Sequence, residues 1–572
     1  MRVTDYIVDF LITKKITDVF GYPGGMVTYL MDSFSKQQVK IKSHANYNEQ
    51  GSSFAACGYA QVACNTGVAF ATSGPGATNL ITGLCNAYFD SIPVIFITGQ
   101  VNDYETKGDS KVRQKGFQET DIVSMVKDVT KYAVNISEAN VVRYHLEKAY
   151  ALSLEGRPGP VLLDIPMNIQ RSEIEPELLP GYQPKTSPSN KTAAETILQS
   201  LEHAERPCLL IGAGVVQSGM RSILRLLVDE LKIPVITSMI AIDTIPTASP
   251  YNFGFIGAYG LRYANMILSK CDLLITLGSR LDVRQTGANS DAFAVNARLI
   301  RIDIDTNELS NKIKPDEIQV LGDLKEIIPA LNALANKSNI DFGSKYSKWI
   351  TLCTDIKNML INKDHLHPNS IMQRISMLMP DHSIITADVG QNQVWVAQSF
   401  KVKNDQRILF SGGHGAMGYS LPAAIGAFFG SKGKKIFSIN GDGGFQMNMQ
   451  ELQFIAREKL PITVIVFNNK ALGMIRHFQE MYFNANYSLT VAGRGYETPD
   501  FSLIAKAYAL DYHLIKNLED IHEYMFAGNN PSLIEIDLSE ETYVFPKLAI
   551  NKPIHDQEPP LDRELYQLIM NL

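Results

Sequence analysis

Short, continuous apolar runs alternate with stretches of helical spacing along almost the whole chain. Val68–Ala71 and Pro93–Thr98 are apolar without interruption, and Ala77–Phe89 between them carries helical spacing. From Thr4 to about Gln170 the chain therefore reads as strand–helix repetition around a parallel sheet. The stretch GYQPKTSPSNKT, Gly181 to Thr192, loses that periodicity and concentrates Pro, Ser, Lys and Asn, as a linker does. Strand-like runs resume at Cys208–Ile211, Pro234–Thr237, Leu273–Leu277 and Leu299–Ile304. After a weaker boundary at Asn336–Asp364 they return at Ser383–Thr386, Lys435–Ile439, Ile462–Phe467 and Ser532–Ile536. The expectation is an α/β protein of three consecutive domains with parallel sheets, over residues 1–180, 190–335 and 365–545. A Pro-rich tail, 546–572, should form a surface arm ending in a short helix. No tandem repeat is present, but the first and third segments share one rhythm of strand, Gly-rich turn and helix.

Composition narrows the function classes. With 45% hydrophobic and 20% charged residues among 572, the chain is that of an ordinary globular protein. Its charge of -6 carries no long single-sign run, so nucleic acid and anionic lipid are not expected partners. Six cysteines without a CxxC pair read as reduced core thiols. The first residues contain Asp5 and Asp9 within helical apolar spacing, unlike a signal peptide, and Thr4 can cap that helix. No run is long and apolar enough to span a membrane, so the expected compartment is the cytoplasm.

The most specific chemical signal is GDG at Gly441–Gly443, followed by 24 residues and then Asn468–Asn469. Each half follows an apolar strand, and the helical stretch Gln450–Arg457 lies between, with Asn448 and Glu451 spaced as an N-cap pair. The two polar clusters then sit at the carboxyl ends of adjacent parallel strands, where ligands of open α/β sheets collect. Asp442 and Asn469 would supply hard oxygen ligands to Mg²⁺, and the flanking glycines would let a diphosphate approach the backbone. Alone, GDG is more often a tight turn at a strand end.

GDG-x24-NN resembles the motif of thiamine-diphosphate enzymes. The resemblance implies a metal held by Asp442, Asn469 and the carbonyl of Ala471. NEQGSSFAACGYA, from Asn48, looks like the family segment that starts with the cofactor-activating glutamate, which puts that role on Glu49. A carboxyl bonded to the aminopyrimidine ring favours its imino tautomer. SGGHGAMGYSLPAAIGA resembles the segment whose apolar residue bends the cofactor, which would be Met417, with Gly415 beside it. Further cofactor contacts implied by the resemblance are Pro23, Asn79, Gln391 and Met474, besides Gly441, Gly443 and Gly444.

FGYPGG, TSGPGATN, ITGQV, FQETD and SRLDVRQTG together resemble the catalytic subunits of acetohydroxyacid (acetolactate) synthases, over about residues 1–545. That implies a pyrimidine-binding, a middle and a diphosphate-binding domain, with cofactor sites between two subunits of a homodimer or homotetramer, and a possible regulatory subunit. Gln118 and Phe117 would line the reaction centre, Gly25 would offer a backbone N–H, and Arg284 would face the acceptor carboxylate. GAG at Gly212–Gly214 lacks full dinucleotide spacing, and the resemblance implies a non-redox FAD in the middle domain instead. Phe478 stands where the biosynthetic synthases carry a tryptophan that shapes acceptor choice; Asn48 and Asn392 replace histidines, and the carboxyl-terminal sequence differs. These departures resemble carboligases that add an acetyl unit to a keto-sugar nucleotide. The expected activity is decarboxylation of pyruvate and transfer of its two-carbon unit to a second 2-oxo acid. The alternatives are a keto-sugar nucleotide acceptor, a simple decarboxylase or oxidase, and a catalytically silent regulatory relative.

Overall fold

The continuous apolar runs form interior strands of parallel sheets, where both faces are covered and no polar alternation is needed. The protein is described by a computed structural model covering residues 1–184, 192–361, 363–364 and 366–572, so most of the expected linker lies outside the described residues. Among the described residues there are three six-stranded sheets. The first contains β1 (Asp18–Gly21), β2 (Lys42–Ala45), β3 (Gly67–Ala71), β4 (Val94–Gln100), β5 (Tyr132–Asn135) and β6 (Val161–Pro166), in the order β2-β1-β3-β4-β6-β5. The second contains β7 (Pro207–Ile211), β8 (Val235–Thr237), β9 (Asn252–Phe255), β10 (Leu273–Leu277), β11 (Arg298–Asp303) and β12 (Ile318–Leu321), in the order β12-β11-β10-β7-β8-β9. The third contains β13 (Ile384–Ala387), β14 (Arg407–Phe410), β15 (Ile436–Gly441), β16 (Ile462–Asn468), β17 (Asp511–Ile515) and β18 (Ser532–Asp537), in the order β14-β13-β15-β16-β18-β17.

The first and third orders are the same once each strand is renumbered from its own start, which gives the shared rhythm of the sequence a topological meaning. Each sheet has a switch point from which the chain winds outward in both directions: between β1 and β3, between β7 and β10, and between β13 and β15. Ligands of such sheets gather there.

The two like sheets also meet through equivalent helices. Glu49–Ala63 follows β2, and Ser420–Gly430 follows β14. A Cβ on Gly58 would lie 2.1 Å from the Ala423 carbonyl oxygen, and one on Gly426 would lie 1.7 Å from that of Ala55. The contact is reciprocal and backbone-close, and only glycine fits on either side.

Several local expectations are corrected. Thr4 lies inside the helix Val3–Thr13 and is buried, so it is not the cap. The stretch Ala77–Phe89 is divided into Pro75–Asn79 and Ile81–Phe89. The weak boundary at Asn336–Asp364 is largely helix, Phe342–Leu360, which buries Trp349, Cys353 and Ile356 against the middle domain. Cys64 is exposed and Cys85 half-buried, whereas the other four thiols are core. The tail is not a free arm: Ile554, Leu561 and Ile569 join the same middle-domain core. Arg262 ties it down by donating to the carbonyls of Gln557 and Pro559 at 3.0 and 2.5 Å.

Candidate active site

One strand beyond the switch point of the third sheet, β15 and β16 run in register so that Gly441 pairs with Phe467. Asp442 and Asn469 therefore leave neighbouring strand ends at nearly one level. Asp442 opens a short helix, Asp442–Met447, directly after β15. Its carboxyl is 2% exposed, and burial pushes its pKa up to about 6 against the opposing hydrogen bonds of Tyr496 and backbone N–H groups. The Tyr496 hydroxyl donates to Oδ1 at 2.9 Å, and the buried Oδ2 has no hydrogen-bond partner among the described residues. Asn469 donates through Nδ2 to Gln391 Oε1 at 2.9 Å, and Gln391 donates to the Thr542 carbonyl at 2.8 Å. Gln391 is set at the start of its helix by Gly390, whose φ of 132° suits glycine. The Ala471 carbonyl accepts from Gly473 N–H at 2.8 Å and keeps a second lone pair.

These donors are all oxygens, and one is a buried carboxylate oxygen lacking a partner. That set fits a hard dication such as Mg²⁺. Among the described residues no group of three His, Cys, Asp or Glu could hold a metal, so the mixed carboxylate, amide and carbonyl set is the candidate.

The glycines here are pressed by neighbours. A Cβ on Gly444 would lie 2.5 Å from Asp388 Oδ1, on Gly473 2.0 Å from Gln391 Oε1, and on Gly441 3.0 Å from Asn392 Oδ1. Gly443 faces Met417, whose Cε would be 3.3 Å from such a Cβ. Gly415, in contrast, opens onto free space. Met417 and Met474 are half-buried, and Met474 packs on the core of β13 and β14.

At the first sheet's switch point, Glu49 begins its helix, and Asn48 caps it by accepting from Gln50 N–H at 2.7 Å. The buried Glu49 carboxyl accepts from the exposed Asn79 amide at 3.0 Å. Pro23 and Gly25 are exposed on the loop after β1, which is pinned by Met26 N–H donating to Thr72 Oγ1 at 3.1 Å. Nothing lies within 4 Å of a Cβ on Gly25. Gln118 is half-buried and held left-handed at φ 63°, against Gly74, while Phe117 is 79% exposed.

Sequence reasoning missed the residue that joins these two regions. Glu451 does not pair with Asn448 as a cap; it is fully buried and accepts from the Asn46 amide at 2.8 Å and Tyr47 N–H at 2.9 Å, just before Glu49. Burial pushes its pKa up to about 7. Tyr496 and Asp388 were missed as well, and only tertiary contacts reveal them. Among the described residues no hydrogen bond joins Glu49 to Asp442, Asn469 or Met417.

The middle sheet's switch point opens into a groove of about 170 Å³, lined by Gly214, Gly278, Arg280 and Asp303 and, from the first domain, Asp90 and Arg157. Arg284 also lines it, exposed, with its guanidinium 5.8 Å from the Tyr259 ring centre. Phe478 is 44% exposed, its ring 4.6 Å from that of Tyr482.

Comparison with known proteins agrees with this geometry. Three thiamine pyrophosphate enzyme models match in order: the N-terminal TPP-binding domain at residues 1–125, the central domain at 194–331 and the C-terminal TPP-binding domain at 388–536. The chain is 35% identical to the acetolactate synthase large subunit of Lactococcus lactis over 94% of its length and 92% of the relative's. It is 34% identical to the large subunit of Corynebacterium glutamicum, covering 93% and 86%, and 34% identical to acetolactate synthase 1, chloroplastic, of Zea mays, covering 95% and 86%. Three domains matched in order and full-length likeness to these synthases identify the chain as a thiamine-pyrophosphate-dependent enzyme of the acetolactate synthase large-subunit family.

Proposed function

We propose that the protein decarboxylates pyruvate and joins the two-carbon unit to a second 2-oxo acid, as an acetolactate synthase does. The observation that carries this reading is the buried Asp442 carboxylate, whose Oδ2 lacks a partner beside the Asn469–Gln391 pair at the β15/β16 strand ends. Thiamine diphosphate, when bound, would supply the nucleophilic carbon that decarboxylation of a 2-oxo acid and transfer of its two-carbon unit require. Asp442, Asn469 and the Ala471 carbonyl would hold Mg²⁺ on the diphosphate, with Gln391 orienting Asn469. Gly441, Gly443 and Gly444 would leave the backbone bare for the diphosphate, and Met417 and Met474 would pack beside it. Glu49, oriented by Asn79, would hold a proton at the pyrimidine ring nitrogen. Gly25 N–H and Gln118 would orient the reacting carbonyl, and Phe117, Arg284 and Phe478 would shape the acceptor site, Arg284 binding its carboxylate.

Glu49 has no hydrogen bond to the Asp442 group within one chain, and Phe117 is 79% exposed. Both features support sites completed by a second subunit in a homodimer or homotetramer. The middle groove is lined by Met239, Ile240 and Phe255 together with Arg280 and Asp303, a mixture of apolar and charged groups that suits a flat ring system with a polar tail; FAD in a non-redox role is the proposed occupant. A second reading, a keto-sugar nucleotide acceptor, is supported by Phe478 and the altered tail. Purified protein should be incubated with thiamine diphosphate, Mg²⁺, FAD and pyruvate alone, with products followed by NMR. Sustained acetolactate formation supports the first reading. Slow pyruvate loss with leakage of acetaldehyde favours the second, and no cofactor-dependent CO₂ release overturns both.

A further inference from the structure

Lys547 is an enclosed cation that forms no ion pair among the described residues. Its residue is 8% exposed, and among the described residues its ammonium makes one hydrogen bond, to Met481 Sδ at 3.2 Å. The ammonium lies 5.7 Å from the ring centre of Phe478, the residue that the proposed reading puts in the acceptor site. The nearby carboxylate, Glu480, is engaged by Arg476 at 2.9 Å and by the hydroxyls of Tyr487 and Tyr543. His477 supplies no negative charge. A buried ammonium facing a thioether and an aromatic ring retains much of its desolvation cost, which an arriving anion would offset.

The same segment is tied to the other acceptor-site cation. Leu548 N–H donates to the Ala258 carbonyl at 2.7 Å, and Ala258 N–H donates to the Arg284 carbonyl at 2.7 Å. The tail packs on this turn as well: a Cβ on Gly287 would meet Ile554 at 3.2 Å and Leu548 at 3.5 Å. Arg284 rests on Tyr259, and Tyr482 packs against Phe478 with the rings tilted by 52°. One short backbone ladder thus holds two cations, Arg284 and Lys547, beside aromatic rings. Arg284 alone suffices for a simple carboxylate; the second cation has no assigned task.

We propose that Lys547 binds a negatively charged group of the acceptor, separate from the group that Arg284 receives, so that the enzyme selects acceptors carrying an additional anion such as a phosphate. This rests on the carboligase reading for the word acceptor, but the anion site itself does not depend on turnover.

The test measures binding to the enzyme loaded with cofactor and Mg²⁺. Calorimetry compares dihydroxyacetone phosphate with dihydroxyacetone, which share a ketone and differ by the phosphate, and adds 2-oxobutyrate as a carboxylate. Wild type should bind the phosphate at least about tenfold more tightly than its neutral partner, the scale of one charge-assisted hydrogen bond. K547M, which matches its apolar neighbours, should lose that preference, and K547R should keep it within about threefold. If K547M weakens only 2-oxobutyrate, Lys547 shares the single carboxylate given to Arg284, and the proposal of an additional anion is overturned. If dihydroxyacetone weakens equally, or neither anion weakens, Lys547 is a packing residue and the proposal is overturned. Cofactor-dependent CO₂ release from pyruvate, measured on the same samples, reports on the carboligase reading separately. Its absence alongside a Lys547-dependent anion preference would remove that reading and leave the site.

Discussion

The first and third sheets have the same strand order and carry opposite kinds of chemistry at their switch points. In the third, the strand ends bring together a buried carboxylate, an amide and a free carbonyl lone pair, an arrangement for a cation and its phosphate oxygens. In the first, a buried carboxyl at a helix start accepts from an exposed amide, and the proposed reading gives it a proton to hold beside a flat ring. The scaffold dictates where a ligand can lie; the side chains at matching positions decide which part of it each sheet receives. Glu451, rooted in the third domain and bonded to the turn that precedes Glu49, ties the halves together inside one chain.

Substitution in the first sheet should separate chemistry from binding. E49Q is expected to slow pyruvate turnover by about 10²-fold or more, the usual share of a positioned acid–base group, while a cofactor- and Mg²⁺-dependent rise in melting temperature persists. Loss of that rise together with the rate would merge the two roles. In the third sheet the pattern should reverse: D442N should abolish the Mg²⁺-dependent rise itself. Q391A, which frees the Asn469 amide, should weaken Mg²⁺ by about 10–100-fold in a titration followed by cofactor fluorescence quenching.

The helix contact between the two sheets gives a smaller effect, on stability. G426A must push a methyl into the Ala55 carbonyl and should cost about 1–3 kcal/mol in urea unfolding. G25A meets nothing within 4 Å and should cost about 0.5 kcal/mol at most. Equal losses would mean that the reciprocal contact is slack.

The smallest expected effect is on pH dependence. Burial raises Glu451 to about 7, above the ~4.3 of a free side chain. Between those values the folded chain binds more protons than the unfolded one, so this group's contribution falls as pH rises through that window. E451Q removes that slope, and its melting temperature relative to wild type should be higher at pH 8 than at pH 5.

What was legible in the sequence follows from these same features. The runs recognised as strands, such as Leu273–Leu277 and Ile462–Phe467, lie inside their sheets, buried on both faces. Those passed over include every sheet edge: Lys42–Ala45, Tyr132–Asn135, Asn252–Phe255, Ile318–Leu321, Arg407–Phe410 and Asp511–Ile515. Edge strands are short and partly polar, so they carry little apolar signal. Val161–Pro166 was masked by Asp164, which the fold buries among Thr98, Gln100 and Asn135. The placement of Asp442 and Asn469 just after apolar strands was legible locally, whereas Glu49 was singled out only by resemblance to a family segment. The roles of Tyr496 and Glu451 were not legible, since their partners lie 54 and 405 residues away.

The central claim is that Glu49 of one chain works with Asp442 of another. Mixing the two inactive proteins, E49Q and D442N, tests it most directly, with subunit exchange followed by native mass spectrometry. In a fully exchanged dimer population, half the molecules are mixed and each mixed molecule holds one intact site, so the account predicts recovery of roughly one quarter of wild-type activity. Exchange without any recovery would contradict it.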